Sequence, residues 1–532
     1  MFVVDRFTQG LNKFFPPHLL KPEMSAELKN ADIARGVLES VNYASIANDT
    51  VKNVHIGNYV ADSGINLWFS HNEPMIYIDY AKMVVKSASN ELSLPQKYDI
   101  SGNLIGDLGV KNPTAAPTVS ENNSVSGPLL DNELYSYVYT FVKGYAESAP
   151  SPAGTITTTS SGVSIDVTTP LAADEGVDAI RIYRGGGGTA EFLLVDEFAG
   201  GVYTDSKTAL ELGPPVETWY NDAPKTGLIL DCLFNGRLVG HVRGESILRF
   251  SNPVNFESWS EYDTINFDSN IVKAVNFHGS IIVLCRSGVY QLLGTSPEDV
   301  QKIQVPTEQG CISEFSPIVV NNILYFQSPD GICAFDGSSV RVVTRHIFPT
   351  EYFSGKRLIS GAKDGVIYFV DSTGAGPVYD TNIGLWREVE LFDKEFFSTL
   401  PLVYSFFYEK ESDTLYVATD QGIYDNKAST YPDSNISTKA KFLYKSGVYG
   451  QDNIIKFYRT LRVFGDGKFT IRIYLDGELA KETDVALKLG KPELIFYPRK
   501  ARGYTTQIEI EGVGEIHSYF IEGYQEGTAR NG

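Results

Sequence analysis

Cysteine, helical periodicity, long apolar runs and surplus base are all scarce in this chain of 532 residues, and each scarcity excludes something. The four cysteines, Cys232, Cys285, Cys311 and Cys333, form no C-x-x-C pair, so zinc-finger and dithiol redox motifs are absent. Each lies in or beside an apolar, strand-like run, which reads as a set of reduced, buried thiols made in a cytosol. No apolar run approaches the ~18 residues of a membrane-spanning helix. The opening "MFVVDRFTQGLNKFFPP" carries charges where the apolar core of a signal peptide would stand, so no export signal is expected. Base is in deficit, with 45 Lys and Arg against 65 Asp and Glu and a net charge of -20. Such a surface repels nucleic acid at long range and lacks the basic patch of a duplex reader. Helical periodicity is confined to one candidate, "MSAELKNADIARGVL", residues 24–38.

Catalytic wording is equally sparse. The seven histidines, His18, His55, His71, His241, His278, His346 and His517, are scattered, and none stands at metal-ligand spacing from another His or Cys. There is no G-x-S-x-G elbow and no EF-hand-like acidic loop. "SPDGICAF" from Ser328 resembles the boxes of sialidase propellers but lacks the residue between Asp330 and Gly331, and reads better as a β-turn. Carboxylate pairs for glycoside hydrolysis are spaced in three dimensions rather than along the chain, and no acidic residue is marked for that work. No catalytic, metal-binding or cofactor-binding residue is therefore assigned, no cofactor is expected, and the chain is not read as an enzyme.

Turn formers and aromatics are abundant instead: 48 Gly, 25 Pro, 31 Tyr and 30 Phe, a composition of strands joined by tight turns. One pattern recurs, an apolar strand, a polar turn and a second strand. It reads "GINLWFSHNEPMIYIDY" from Gly64, then "NGRLVGHVRGESILRFSN" from Asn235 and "GSIIVLCRSGVYQLLG" from Gly279. It continues as "NNILYFQSPDGICAFDG" from Asn321, "DGVIYFVDSTGAGPVYD" from Asp364 and "SDTLYVATDQGIYDNK" from Ser412. The last five copies start about 42 to 48 residues apart, the length of one four-stranded propeller blade, with each copy as a blade's inner hairpin. Generic β hairpins share such wording; the spacing favours an irregular β-propeller.

The first copy is separated from the rest by a segment of different character. "KNPTAAPTVSENNSVSGP" (111–128) reads as a Pro/Ser/Asn linker. After it, "LYSYVYTFV" alternates Tyr135, Tyr137, Tyr139 and Phe141 on one face, and several short strands follow before the Pro-rich "LGPPVETWYNDAPKTG". This is an immunoglobulin- or fibronectin-like sandwich inserted in the propeller. Within it "RIYRGGGGTAEFLLVDE" sets four glycines, residues 185–188, between two strands. A phosphate loop needs a following Lys-Ser/Thr and a helix; here Thr189, Ala190 and a strand follow, so the run is a hairpin tip. After about Asp433 the repeat stops. "FTIRIYLDGELAKE" alternates Phe469, Ile471, Ile473 and Leu475 into a core, with Asp476-Gly477 as the hairpin turn, and "TTQIEIEGVGEIHSYFIEGY" reads as a second hairpin of a C-terminal β-sandwich. The expected parts are 1–110, an N-terminal arm and first propeller strands; 111–226, the insertion; 227–432, the main blades; and 433–532, the C-terminal sandwich.

Several stretches together resemble one family. They are "LYSYVYTFVKGYAESAPSP", "IRIYR", "GVYTDSKTALELG", "NGRLVGHVRGESILRFSNP" and "FHGSIIVLCRSGVYQLLGTSPEDVQKIQVPTEQGCISEFSPIVVNNILYFQSPDGI", with the N-terminal "PPHLLKPEMSAELKNADIARGVLES". Their wording resembles the tail nozzle, or tail hub, proteins of short-tailed bacteriophages over most of residues 10 to 430. The resemblance implies a virion protein, synthesised in the host cytoplasm, whose propeller subunits assemble as a sixfold homo-oligomeric ring. The ring would lie below the portal and its adaptor protein, bear tail fibres or spikes, and let viral DNA pass without sequence-specific binding. A carbohydrate-binding or carbohydrate-cleaving propeller with an accessory module is the alternative, and would show convergent carboxylates and exposed aromatics; a surface adhesin is disfavoured by the absent export signal.

Three structural expectations follow from this reading. The strand pair near residues 64–80 should belong with the copies after Asn235. The segments 111–128 and 213–227 should enter and leave the insertion at neighbouring points. Charge is uneven: residues 436–532 hold 15 Lys and Arg against 12 Asp and Glu, leaving about -23 before them. A DNA-conveying lumen should accordingly be acidic, with Lys439, Lys441, Lys445, Arg459, Arg462, Arg499, Lys500 and Arg502 turned to subunit or partner contacts.

Overall fold

The structure is a computed structural model. It describes residues 2–4, 11–13, 25–29, 31–34, 37–40, 45–48, 75–78, 83–99, 103–144, 146–253, 255–394, 397–409, 413–425, 440–450, 455–498 and 501–525. Described residues are overwhelmingly strand; the one α-helix among them is Ala172–Glu175. By contacts the chain divides into two compact units, one of Glu73–Val283 with Gln291–Ile303, the other of Met1–Asn72, Leu284–Tyr290 and Gln304–Gly532.

Six four-stranded units recur along the chain, spanning residues 75–107, 228–266, 271–304, 318–342, 359–390 and 403–425; five are separate sheets, and that of 359–390 is part of a 14-stranded sheet. In the first five, neighbouring strands are consecutive in the chain; the sixth takes its fourth strand, Ser45–Asn48, from near the start. A four-stranded antiparallel meander is the unit of a β-propeller, and the chain is an all-β protein of that class. Turn chemistry explains the period. Five first turns carry a non-glycine residue at positive φ: Asn235, His278, Asn321, Asp364 and Asp413, at steps of 43, 43, 43 and 49 residues. Asn and Asp tolerate the left-handed region, and a two-residue turn of that hand matches the twist of paired strands. In the last five copies the repeated hairpin forms the middle pair of its four strands, as in Arg237–Val242 with Ile247–Phe250. Of the first copy, Met75–Ile78 pairs with Met83–Lys86, while residues 64–74 lie outside the described residues.

In the unit of Glu73–Val283 the first sheet joins the second across the insertion. Ile76, Ile78, Val85 and Leu108 share one buried cluster with Leu228, Leu230, Leu238, Phe256 and Trp259. Backbone bonds run from Ala88 N to Leu228 O (3.0 Å) and from Gly227 N to Ser93 O (2.9 Å). For the described strand Met75–Ile78, the expected association with the first copy after Asn235 is seen.

The insertion is a sandwich of a three-stranded sheet (Thr118–Leu129, Val163–Leu171, Gly200–Asp205) and a five-stranded one built on Leu134–Lys143, Ala179–Gly186 and Thr189–Phe198. The expected face of Tyr135, Tyr137, Tyr139 and Phe141 is buried between the sheets with Ile165, Val167, Ile180 and Ile182. Gly187 and Gly188, at φ 60 and 91°, are the two-residue turn of the glycine hairpin; a Cβ on Gly187 would fall 2.3 Å from the Tyr135 ring. The linker reading of 111–128 holds only to Pro117, because from Thr118 the chain is strand, paired with Val163–Leu171. The Pro-rich exit also packs back: Leu194 N bonds Pro214 O, and Val216 N bonds Phe192 O, covering the sheet edge.

In the other unit, residues read as a helix at 24–38 form the strands Ser25–Lys29, Ala31–Ala34 and Val37–Ser40. Pairing with Phe442–Ser446 and Thr506–Gln525 supplies hydrogen bonds that outweigh a weak helical propensity. "TTQIEIEGVGEIHSYFIEGY" is likewise not a hairpin but one strand, Thr506–Gln525, paired along its length with Lys456–Leu475. The pair folds over on itself. Ile473 lies opposite Lys481 and Thr460 opposite Phe496, 13 residues apart, or roughly 43 Å in a straight strand. Yet Lys481 Nζ is 2.7 Å from Phe496 O. The crease falls at Gly465, Gly467, Gly512 and Gly514, where any Cβ would lie 2.1–2.3 Å from a carbonyl oxygen across the pair. Only glycine permits strands to approach so closely at a sharp bend. The expected Asp476-Gly477 turn is present, at φ 48 and 87°.

Candidate functional site

Among the described residues no group of three or more His, Cys, Asp and Glu is arranged to hold a metal ion, and no helix is long and apolar enough to cross a membrane. No disulfide joins the four cysteines. Burial pushes the thiols of Cys311 and Cys333 up to about 12, far from a reactive thiolate. His241 is buried with its Nδ1 2.6 Å from Asp231, whose other oxygen faces Lys273 at 3.3 Å. Burial alone would raise the Asp231 carboxyl; His241 and Lys273 outweigh it and hold it below its ordinary value. His18, His55 and His71 lie outside the described residues. The "SPDGICAF" segment is a tight turn, with Ser328 opposite Gly331 and Pro329-Asp330 at its tip.

Three of the eight basic residues expected to seek partners find them within their own sheet. Lys445 Nζ is 3.4 Å from Glu509 and lies over the Tyr474 ring; Arg462 is 3.8 Å from Glu522; Arg502 lies 5.9 Å from the Phe457 ring centre. Lys441 lines a cleft of about 720 Å³ with Lys468, Arg472, Asp484 and Glu511. There Arg472 is bonded to Glu511 at 2.7 Å, Glu482 at 2.6 Å and Glu509 at 2.8 Å, so its charge is locally spent. Arg459 is exposed, and Lys439, Arg499 and Lys500 lie outside the described residues.

A different surface has the marks of a binding site. It stands where the insertion leaves the propeller strands, and its backbone is pinned from several sides. Asn112 Nδ2 donates to Asp222 Oδ1 at 2.5 Å, joining entry to exit. Asn221 Nδ2 donates to Glu147 O at 3.1 Å, and Ser258 Oγ donates to Asn221 Oδ1 at 2.6 Å. Trp259 N donates to Asp222 O at 2.8 Å, while the Trp259 ring is buried and its Nε1 bonds Phe256 O. Entry and exit are thus neighbours, as expected. Close by, Glu257 Oε2 accepts from Lys97 Nζ at 2.6 Å and from Gly109 N at 3.1 Å, a nearly buried ion pair that is destabilising if halved.

This frame holds aromatic rings outward. Trp219, Tyr220 and Tyr262 are 47, 62 and 72% exposed. The Tyr220 and Tyr262 rings meet at 89°, centroids 5.4 Å apart, and Trp219 meets Phe192 edge-on at 5.7 Å. Beside Tyr262, Asp263 is 3.3 Å from Arg237 Nη1. Burial raises the Asp263 carboxyl, with Glu298 adding to the rise against Arg237. The site was not found from sequence because its two tyrosines stand 42 residues apart. The available signal was the shared pattern of aromatics beside acids in "ETWYND" and "SEYD".

No protein-family model and no curated protein matches this chain. Solved structures similar to it include Kluyveromyces lactis Hsv2, at 11% identity over 60% of this chain and 95% of that one, TM-score 0.27. Saccharomyces cerevisiae Sqt1 is 10% identical over 66% and 92%, TM-score 0.29. BamB from Moraxella catarrhalis is 10% identical over 58% and 96%, TM-score 0.25. The assignment to the propeller class rests on the sheets described above, not on these alignments.

Proposed function

We propose that this chain is a structural subunit of a short-tailed bacteriophage tail, a nozzle or hub protein. Copies of it form a ring, sixfold in the family it resembles, that lengthens the DNA channel below the portal and its adaptor. The observation that carries this reading beyond the wording of the sequence is a set of exposed apolar side chains on the C-terminal module. Leu479, Leu489, Leu494 and Phe496 are 54, 72, 47 and 59% exposed, while Ile495 between the last two is buried. Large side chains turned outward in this way are characteristic of surfaces covered by a copy or partner. The net charge of -20 supports the same reading: each Lys or Arg facing DNA would release counterions and act as a brake on ejection, whereas acidic walls would not. In this function the protein holds the genome in, carries fibres or spikes, and catalyses no reaction.

The rival carbohydrate reading draws on the exposed tyrosines. The ring reading is tested by electron micrographs of the purified chain and by duplex DNA binding at about 50 mM salt. Closed rings without DNA retention are expected; isolated monomers at micromolar concentration, or tight DNA binding, would overturn it.

A further inference from the structure

We propose that Tyr220 and Tyr262 form an aromatic corner that binds a quaternary ammonium group, such as that of choline. The geometry supplies two rings in edge contact, their planes nearly at right angles and their centroids 5.4 Å apart. A cation seated beside this edge-to-face pair lies against the negative face of one ring and along the flank of the other. The rings are already held by the anchoring of Asn221, Asp222 and Trp259, so binding orders little chain and costs little entropy.

Charge selects the ligand's sign. The segments that carry the rings, "ETWYND" (217–222) and "SEYD" (260–263), hold Glu217, Asp222, Glu261 and Asp263 and no Lys or Arg. Arg237, 3.3 Å from Asp263, offsets one of these carboxylates and leaves the others in excess. An anionic ligand is repelled here and a cation attracted. Hydration selects its kind. A primary ammonium or guanidinium must surrender N–H bonds to water, which ring faces do not replace. A quaternary ammonium has no N–H group, and its methyl groups cover apolar ring surface, so the same attraction comes at lower desolvation cost.

The experiment titrates the full-length protein with choline chloride at constant ionic strength, followed by tryptophan and tyrosine fluorescence and by ligand-observed NMR. The control is 3,3-dimethylbutan-1-ol, which has choline's shape without its charge. Saturable millimolar binding of choline is expected, about tenfold tighter than the neutral isostere. Tyr220→Leu or Tyr262→Leu should each weaken binding at least about fivefold with unchanged melting, and Tyr262→Phe should retain it. Equal binding of choline and its isostere, no saturation, or insensitivity to the Leu variants would overturn the proposal. So would equal binding of lysine, tighter binding of chitotriose, or loss of self-association in the Leu variants, which would make the corner a site for a basic side chain, a neutral saccharide or a second copy.

Discussion

The inserted sandwich and the C-terminal sandwich are of similar size, yet they hold their cores differently. The insertion's cluster draws only on residues between Val110 and Leu212. The C-terminal cluster draws Phe442, Phe469, Ile471, Ile508 and Tyr519 into one body with Tyr325, Ile332, Phe353, Phe369 and Trp386 of the propeller sheets. Ser25–Lys29 makes the junction continuous, pairing with Phe442–Ser446 on one side and with Leu385–Glu390 on the other. A module bounded by a change of sequence pattern is therefore an independent body only when its core is its own.

The sharpest way to break this comparison is to remove each module in turn. Truncation before residue 433 uncovers Trp386, Phe369 and Phe348, and should give insoluble protein or loss of a cooperative thermal transition. Replacing residues 114–219 with a short Gly/Ser loop, keeping Asn112, Asn221 and Asp222, should leave a soluble protein whose melting temperature falls by only a few degrees, as for ~1 kcal/mol in a chain of this size. A cooperative truncated protein, or an excised one that fails to fold, reverses the two assignments.

The next effect is local. In the insertion, Arg184 Nη1 is 2.7 Å from Asp205, which is fully buried and also accepts from Tyr137 OH at 2.8 Å. Arg184→Met leaves that carboxylate unpaired and should cost about 3–5 kcal/mol. Because the module keeps its own core, hydrogen exchange should quicken within residues 118–205 and stay unchanged in the sheets 318–390. Adding Asp205→Leu should recover much of the loss.

At the crease of the C-terminal module, Gly514→Val should cost about 3 kcal/mol, since its Cβ would meet Asp466 O at 2.1 Å. Gly477→Ala, in the open hairpin turn at φ 87°, meets nothing within 4 Å and should cost only the ~1 kcal/mol of a left-handed residue. Chemical denaturation measures both, and equal losses would mean that the crease is not set by close approach.

The smallest effect concerns acid. Backbone N–H groups of Ser339 and Ser338 hold the exposed Asp336 carboxyl at about 2, below the ordinary 3.8. A depressed carboxylate contributes stability above its unfolded value and loses it as pH falls through the folded one. Asp336→Asn should lower stability slightly at neutral pH and flatten the profile between about pH 4 and pH 2, so that the two proteins converge in acid. An NMR titration of Asp336 near 3.8 would contradict this.

Legibility in the sequence followed range. Turn doublets such as Asn235-Gly236, Asp364-Gly365 and Asp476-Gly477 act over two residues, so the hairpins and their period could be read directly. The face of Tyr135, Tyr137, Tyr139 and Phe141 was visible because strand alternation is local. The strand at Ser25–Lys29 was misread because its partners lie some 360 to 420 residues away. Gly512 and Gly514 looked like a turn, since the crease exists only opposite Gly465 and Gly467. The tyrosine corner needs two loops that meet only through Asn221, Ser258 and Trp259.

Ser45–Asn48, the fourth strand of the sheet that otherwise spans Val403–Glu409 to Ile423–Asp425, sets a timetable for synthesis. It leaves the ribosome long before its neighbour Ile423–Asp425 exists. At roughly 5–20 residues per second the interval is on the order of 20–70 s. For that time its backbone donors and acceptors have no native partner, and the nascent chain must keep them from pairing with another. Moving this strand to the chain's end by circular permutation would remove the wait without altering a single contact in the finished sheet.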